Sequence, residues 1–279
     1  MQLRWIKIDV TVSPQYKPPF FSGSMLRGAI GVALKRVVCI SPSYKCEGCF
    51  AADGCLYYDF YEKKDTFHPY RVVSDLGMDR LKFSVYLFEK ATKELPYMLS
   101  AIKKALEEIG LGREKLPVKT TDIRIDGRIV YDGEHFLSID GIAPKILEME
   151  NFHTDARLVF KLPLRIKQDN RLAKEVALPT LVGNLKRRFF QIKGLEPERL
   201  GYKVRGEVVH SRLKHLDLFR YSNRQRSHMK LGGLMGEIVV KGLDKQSWFY
   251  LKAGEILGAG KQTVFGLGTY TLIPLKEAM

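Results

Sequence analysis

Along residues 3–12 the sequence LRWIKIDVTV alternates apolar and polar positions, the two-residue period of a strand with one face buried. The period lengthens over 22–38, SGSMLRGAIGVALKRVV, where apolar residues recur every three or four positions and Ser22 or Ser24 can cap a helix. Past a stretch bearing glycine and cysteine, HPYRVV (68–73) and LKFSVYLFE (81–89) predict two more strands. PYMLSAIKKALEEI (96–109) predicts an amphipathic helix stopped by Gly110, with strand-like sequence after it. The second half runs through the same order. VFKLPLR (159–165) reads as a strand, 178–194 as a helix with a glycine stop, KVRGEVV (203–209) as a strand, and 213–242 as two strands joined by a basic turn. A helix over 245–257, a glycine-rich run and a strand over 269–273 complete it.

Two successive βαββαβ patterns predict an α+β fold of two tandem ferredoxin-like domains, since that order lays two helices on one face of an antiparallel sheet. The domains are expected at 1–155, with a cysteine-rich insertion at 39–55, and at 156–279. A length of 279 residues is enough for two cores.

Charge separates the two halves. The net charge is +15, yet residues 1–155 hold 22 Lys and Arg against 21 Asp and Glu, whereas 156–279 hold 24 against 10. The second half therefore attracts a polyanion over about 8–10 Å, and nucleic acid is its expected partner. No stretch offers about 18 uncharged apolar residues and the N-terminus lacks the apolar run of a signal peptide, so a cytoplasmic protein with no membrane partner is expected.

Cys39, Cys46, Cys49 and Cys55 fall in one window, with Cys46 and Cys49 spaced as a CxxC knuckle among glycines. Four thiolates there would make a structural zinc site, closed to catalysis because no coordination position stays open. Four unrelated or partly disulfide-bonded cysteines are the other reading.

Two segments carry the nucleic-acid expectation. GAGKQTVFGLG places Gly258, Gly260, Gly266 and Gly268 around Lys261, and glycines let a backbone come close to phosphate with its N–H groups turned outward. The run leaves a helix and enters a strand, opposite to a GxxxxGK[ST] loop, so no nucleotide cofactor is expected. In RYSNRQRSHMKLGG (220–233), Arg220, Arg224, Arg226, His228 and Lys230 share parity and would line one face of an extended segment. Lys186, Arg187 and Arg188 add a basic helix end. Guanidinium planes both pair with phosphates and stack on bases, which suits single-stranded or stem-loop RNA. A plain chain reversal and a solvated hairpin are the alternatives for the two segments.

LFRYSNRQRSHMKLGGLMGEIVVKG followed by GEILGAGKQTVFGLGTY resembles the C-terminal domain of the CRISPR repeat-processing endoribonucleases, RAMP-superfamily proteins marked by a glycine-rich loop near the C-terminus. FSGSMLRGAIGVALKR, the CEGC segment, HPYRVV and LPYMLSAIKKALEEIGLGREK are similar to earlier stretches of that family, in order. The resemblance implies ferredoxin-like domains of RAMP type, binding of CRISPR repeat RNA, metal-independent cleavage to guide RNAs, and association with CRISPR effector subunits. Cleavage by the RNA's own 2′-OH needs a base, an acid and a cation but no cofactor.

The family often supplies a histidine near the first helix, and here none precedes His68. Lys35, Tyr44 and Lys45 are the catalytic candidates that remain there, beside Arg36. His135, His153, His210 and His215 have no chemical context in the sequence, and no HExxH or GxSxG motif occurs. A non-catalytic RAMP subunit that holds guide RNA, and an interaction module with an acidic protein partner, are the competing readings.

Overall fold

The computed structural model describes residues 2–64, 66–149, 151–168, 171–196, 203–222 and 227–275. Its elements are grouped by contact into one unit spanning Arg4–Lys145 and another comprising Met1–Leu3 and Ile146–Met279.

In the first unit, β1 (Leu3–Val12), α1 (Gly23–Val38), β2 (Tyr70–Val73), β3 (Lys82–Phe88), α2 (Leu95–Lys104), β4 (Thr120–Ile125) and β5 (Arg128–Tyr131) follow one another, with a short β6 (Lys145–Leu147) at its end. The strands lie in the order β2-β3-β1-β4-β5, all pairs antiparallel. Alternation along β1 sends Ile6, Ile8 and Val10 into the core, where Val85 and Leu87 join them. α1 adds Leu26, Ile30, Ala33 and Leu34 at helical spacing, and α2 adds Leu95, Met98, Leu99 and Ile102. Each fully buried Leu or Ile contributes about 1.5–3 kcal/mol. Ser22 takes the N-cap position of α1, but its hydroxyl donates to the Pro19 carbonyl at 3.2 Å instead of accepting from the helix.

The second unit repeats the plan with two hairpins inserted. β7 (Ala156–Leu164) leads through β8 (Lys167–Gln168) and β9 (Arg171–Leu172) to α3 (Leu178–Ile192). β10 (Glu207–Leu216), β11 (Phe219–Ser222), β12 (Ser227–Lys230), β13 (Gly233–Lys241), α4 (Lys245–Leu257) and β14 (Tyr270–Pro274) follow. The main sheet runs β10-β13-β7-β14, antiparallel throughout. Both units are ferredoxin-like, so the fold is α+β with two such domains in tandem.

Two segments differ from their periodicity. The strand expected at 203–209 starts at Glu207 and runs on to Leu216, and 213–242 holds a separate hairpin, β11–β12, between β10 and β13. Leu218 and Leu231 are buried, and the Leu231 N–H donates to the Leu218 carbonyl at 2.7 Å, which pinches the hairpin off at its base. No described helix is long and apolar enough to cross a membrane.

Candidate functional site

The glycine-rich run turns the chain from α4 into β14, and its amides point into the protein. The N–H of Gly258 donates to Gly254 O, of Gly260 to Asn184 Oδ1, of Lys261 to Arg165 O, of Gly266 to Thr263 O and of Gly268 to Pro163 O, all at 2.7–2.9 Å. The expected presentation of glycine N–H groups to RNA is therefore corrected: these donors are already taken. The glycines answer a lack of room. A Cβ on Gly268 would stand 1.8 Å from the Ala259 carbonyl oxygen and one on Gly260 2.4 Å from that of Arg165, and both residues have positive φ. Lys261 is the exposed side chain of this run.

Arg188, expected to touch RNA, is instead 1% exposed. Its guanidinium donates to the carbonyls of Leu257 (3.1 Å) and Gly260 and to the Thr263 hydroxyl, bracing the loop from beneath. The reason is position on the helix: Leu181, Leu185, Arg188 and Phe189 fall on one buried stripe of α3. Lys186 is buried too, its ammonium 5.6 Å from the Phe190 ring centre, while Arg187 points to solvent. Arg165, not singled out in the sequence, links the parts: its carbonyl receives the Lys261 amide and its guanidinium donates to Gly232 O. Partial burial lowers its pKa.

The β11–β12 hairpin lies against this loop, with the Arg220 guanidinium 4.6 Å from the Phe265 ring centre and donating to Met229 Sδ at 3.2 Å. Phe219 pairs with Lys230 and Arg220 with Met229, so Arg220 and Lys230 take opposite faces of the hairpin. The expectation of five residues on one face fails because the chain reverses between them. Lys230 is exposed. Arg224 and Arg226 lie outside the described residues, as does the side chain of His228, whose backbone belongs to β12.

In the first unit, Arg27, Gly31 and Lys35 share a face of α1 at successive turns. Tyr57 and Tyr61 stack with ring centres 5.2 Å apart and lie across that face. The Arg27 guanidinium sits 4.6 Å from the Tyr61 ring centre and the Lys35 ammonium 4.9 Å from that of Tyr57. Gly31 makes the seat, since a Cβ there would be 2.4 Å from Tyr61 Cε1. Tyr61 donates to the Arg27 carbonyl at 3.0 Å, and burial holds its hydroxyl well above the usual phenol range. Burial, then the Glu62 carboxylate that accepts its proton at 3.2 Å, raises Tyr57 likewise. Tyr44 and Lys45 stand exposed in the following loop, and among the described residues no hydrogen bond or ring contact joins them to Lys35. His68, not among the catalytic candidates named from the sequence, arrives half-buried beside this cluster, two residues ahead of β2.

Cys39, Cys46, Cys49 and Cys55 are free thiols, half-buried. Cys39, Cys49 and Cys55 line a hollow of about 470 Å³, but among the described residues no three His, Cys, Asp or Glu side chains converge as a metal set. Cys46 stands in the same loop but is not among the residues lining that hollow.

Among known proteins, residues 1–141 match the family described as AF_1859_N, N-terminal domain, and residues 158–270 match the family described as CRISPR-associated endoribonuclease Cas6. An uncharacterized protein of Archaeoglobus fulgidus is 25% identical over 93% of this chain and 94% of its own length. A solved Cas6 product complex superposes with a TM-score of 0.57 at 14% identity, covering 98% of this chain and 99% of the other. Thermus thermophilus Cas6 does so with a TM-score of 0.54, again at 14% identity and over 98% of each chain. At such identities the solved structures speak for the fold, and the sequence families for kinship. With an AF_1859_N domain over its first half, the chain belongs to that family, and over residues 158–270 it is similar to the CRISPR-associated endoribonuclease family Cas6.

Proposed function

We propose that this protein binds CRISPR repeat RNA and cuts it without a metal ion, the 2′-OH of one nucleotide attacking the adjacent phosphorus and the 5′-oxygen of the next departing. The observation that carries this reading is the match of residues 158–270 to the Cas6 family, on a unit whose glycine loop, hairpin and helix α3 expose Lys261, Lys230 and Arg187 in turn. Those cations suit phosphate contacts, and the braced loop fixes where Lys261 stands. In the other unit, Lys35 offers a cation for the phosphorane, its side chain held against Tyr57.

The test is incubation with repeat RNA in EDTA, beside RNAs bearing a 2′-deoxy group at each candidate position. Cleavage in EDTA that one 2′-deoxy substitution abolishes supports the reading. RNA that is bound tightly and left intact would overturn it in favour of a guide-holding subunit, whose partners would be other CRISPR effector proteins.

A further inference from the structure

We infer, resting on that cleavage reading, that His68 is the general base, taking the 2′-OH proton at the edge of the Arg27–Tyr61 cluster. Three features of the structure converge on this residue.

The first is its tautomer. His68 Nδ1 lies 3.4 Å from the Asp59 carbonyl oxygen, which can only accept, so Nδ1 carries the hydrogen and Nε2 keeps its lone pair. The second is the company it keeps. Its ring centre is 6.3 Å from that of Tyr70, which is 5.4 Å from Tyr61, which in turn carries the Arg27 guanidinium. The charged and titratable groups around it are Arg27 from α1, Tyr70 from β2, and Tyr61 and Asp59 from the turn Tyr58–Glu62. The nearby carboxylates are engaged elsewhere, Asp59 with Lys63 at 3.6 Å and Glu62 with Tyr57. Burial first, then the Arg27 charge, keeps the imidazole more readily neutral than a free histidine. A positive charge there favours neutral imidazole before the reaction and the anionic phosphorane during it.

The third feature is contrast with the other histidines. His135 and His210 are exposed, His215 faces Asp217 at 3.8 Å, and His153 packs on Trp248. Among the described histidine side chains, His68 is the one beside an arginine and a tyrosine cluster.

The step balances without a redox partner. The 2′-oxygen bonds to phosphorus as its proton passes to Nε2, and the bond from phosphorus to O5′ breaks. The departing O5′ takes a proton from water, and the imidazolium returns its own to the hydroxide left behind. The products are a 2′,3′-cyclic phosphate and a 5′-hydroxyl.

His68→Asn keeps a donor for the Asp59 carbonyl but has no base. Single-turnover cleavage of repeat RNA should fall by about 100-fold or more, with affinity for the uncleavable 2′-deoxy RNA changed by less than about twofold. The wild-type rate should rise with pH through a midpoint below about 6.5, and this limb should vanish in the variant. His68→Ala, checked for folding by its thermal midpoint, should regain cleavage on addition of imidazole. Cleavage by His68→Asn within about threefold of wild type, or no imidazole rescue of folded His68→Ala, would overturn the assignment while leaving the nuclease reading in place. A wild-type protein that does not cut repeat RNA overturns both.

Discussion

At the scale of single residues, two side chains that look alike in the sequence have opposite duties. Arg187 and Arg188 are neighbours, but one meets solvent and the other holds up the glycine loop. Replacing Arg188 with Met should strand three acceptors and cost about 3 kcal/mol of stability, read as a lower denaturant midpoint, with no change in the salt slope of RNA binding by the folded fraction. The glycines act by absence. Gly268→Ala puts a methyl group into the Ala259 carbonyl at a backbone angle that L residues avoid, and the thermal midpoint should drop by several degrees or more. A Gly268→Ala protein as stable as the wild type would show that the loop can move aside. The need for glycine was visible in the run itself. Its cause was not, because the carbonyls that crowd it come from Arg165, just past β7, and from Ala259 at the run's own beginning.

At the scale of elements, helix α4 starts with a working cap where α1 does not. Asp244 accepts the Ser247 N–H at 2.8 Å and the Ser247 hydroxyl at 2.9 Å, and also the Arg205 N–H at 3.1 Å. Burial alone would raise its pKa, but these hydrogen bonds outweigh burial and bring it below the usual carboxylate value. A lowered carboxylate stabilises the fold above its unfolded pKa, near about 3.9, and that contribution is lost as pH falls through the lower folded value. Asp244→Ala should therefore cost about 1 kcal/mol at pH 7 and progressively less toward pH 2. A loss that is equal at both pH values would point to packing instead of the cap. Helices and central strands were legible because their spacing reflects local burial. The basic turn of the β11–β12 hairpin was legible as well, but its separation from β10 and β13 was not, because its base is set by Leu218 and Leu231, residues that a strand pattern treats as ordinary apolar positions.

For the whole molecule, the charge asymmetry predicts a second half that responds to salt. Lys261→Ala and Arg187→Ala should each reduce the slope of log affinity against log salt by about 0.7–0.9, as should loss of Arg224 and Arg226 together by about twice that, whereas Lys186→Ala should not. A slope unchanged by all of these would place the RNA elsewhere. By itself the sequence determined the order of the main elements, the doubling of the ferredoxin-like plan and the uneven charge. Each of these is written in spacing, side-chain type and backbone freedom, quantities local to the chain. Tertiary structure alone decided which basic side chains face out, where the loop amides are spent and which histidine comes to the α1 face. Those depend on partners far away in sequence, as Arg188 and Gly260 are, 72 positions apart. Packing chooses such partners by the space and unmet hydrogen bonds they offer, which no periodicity records.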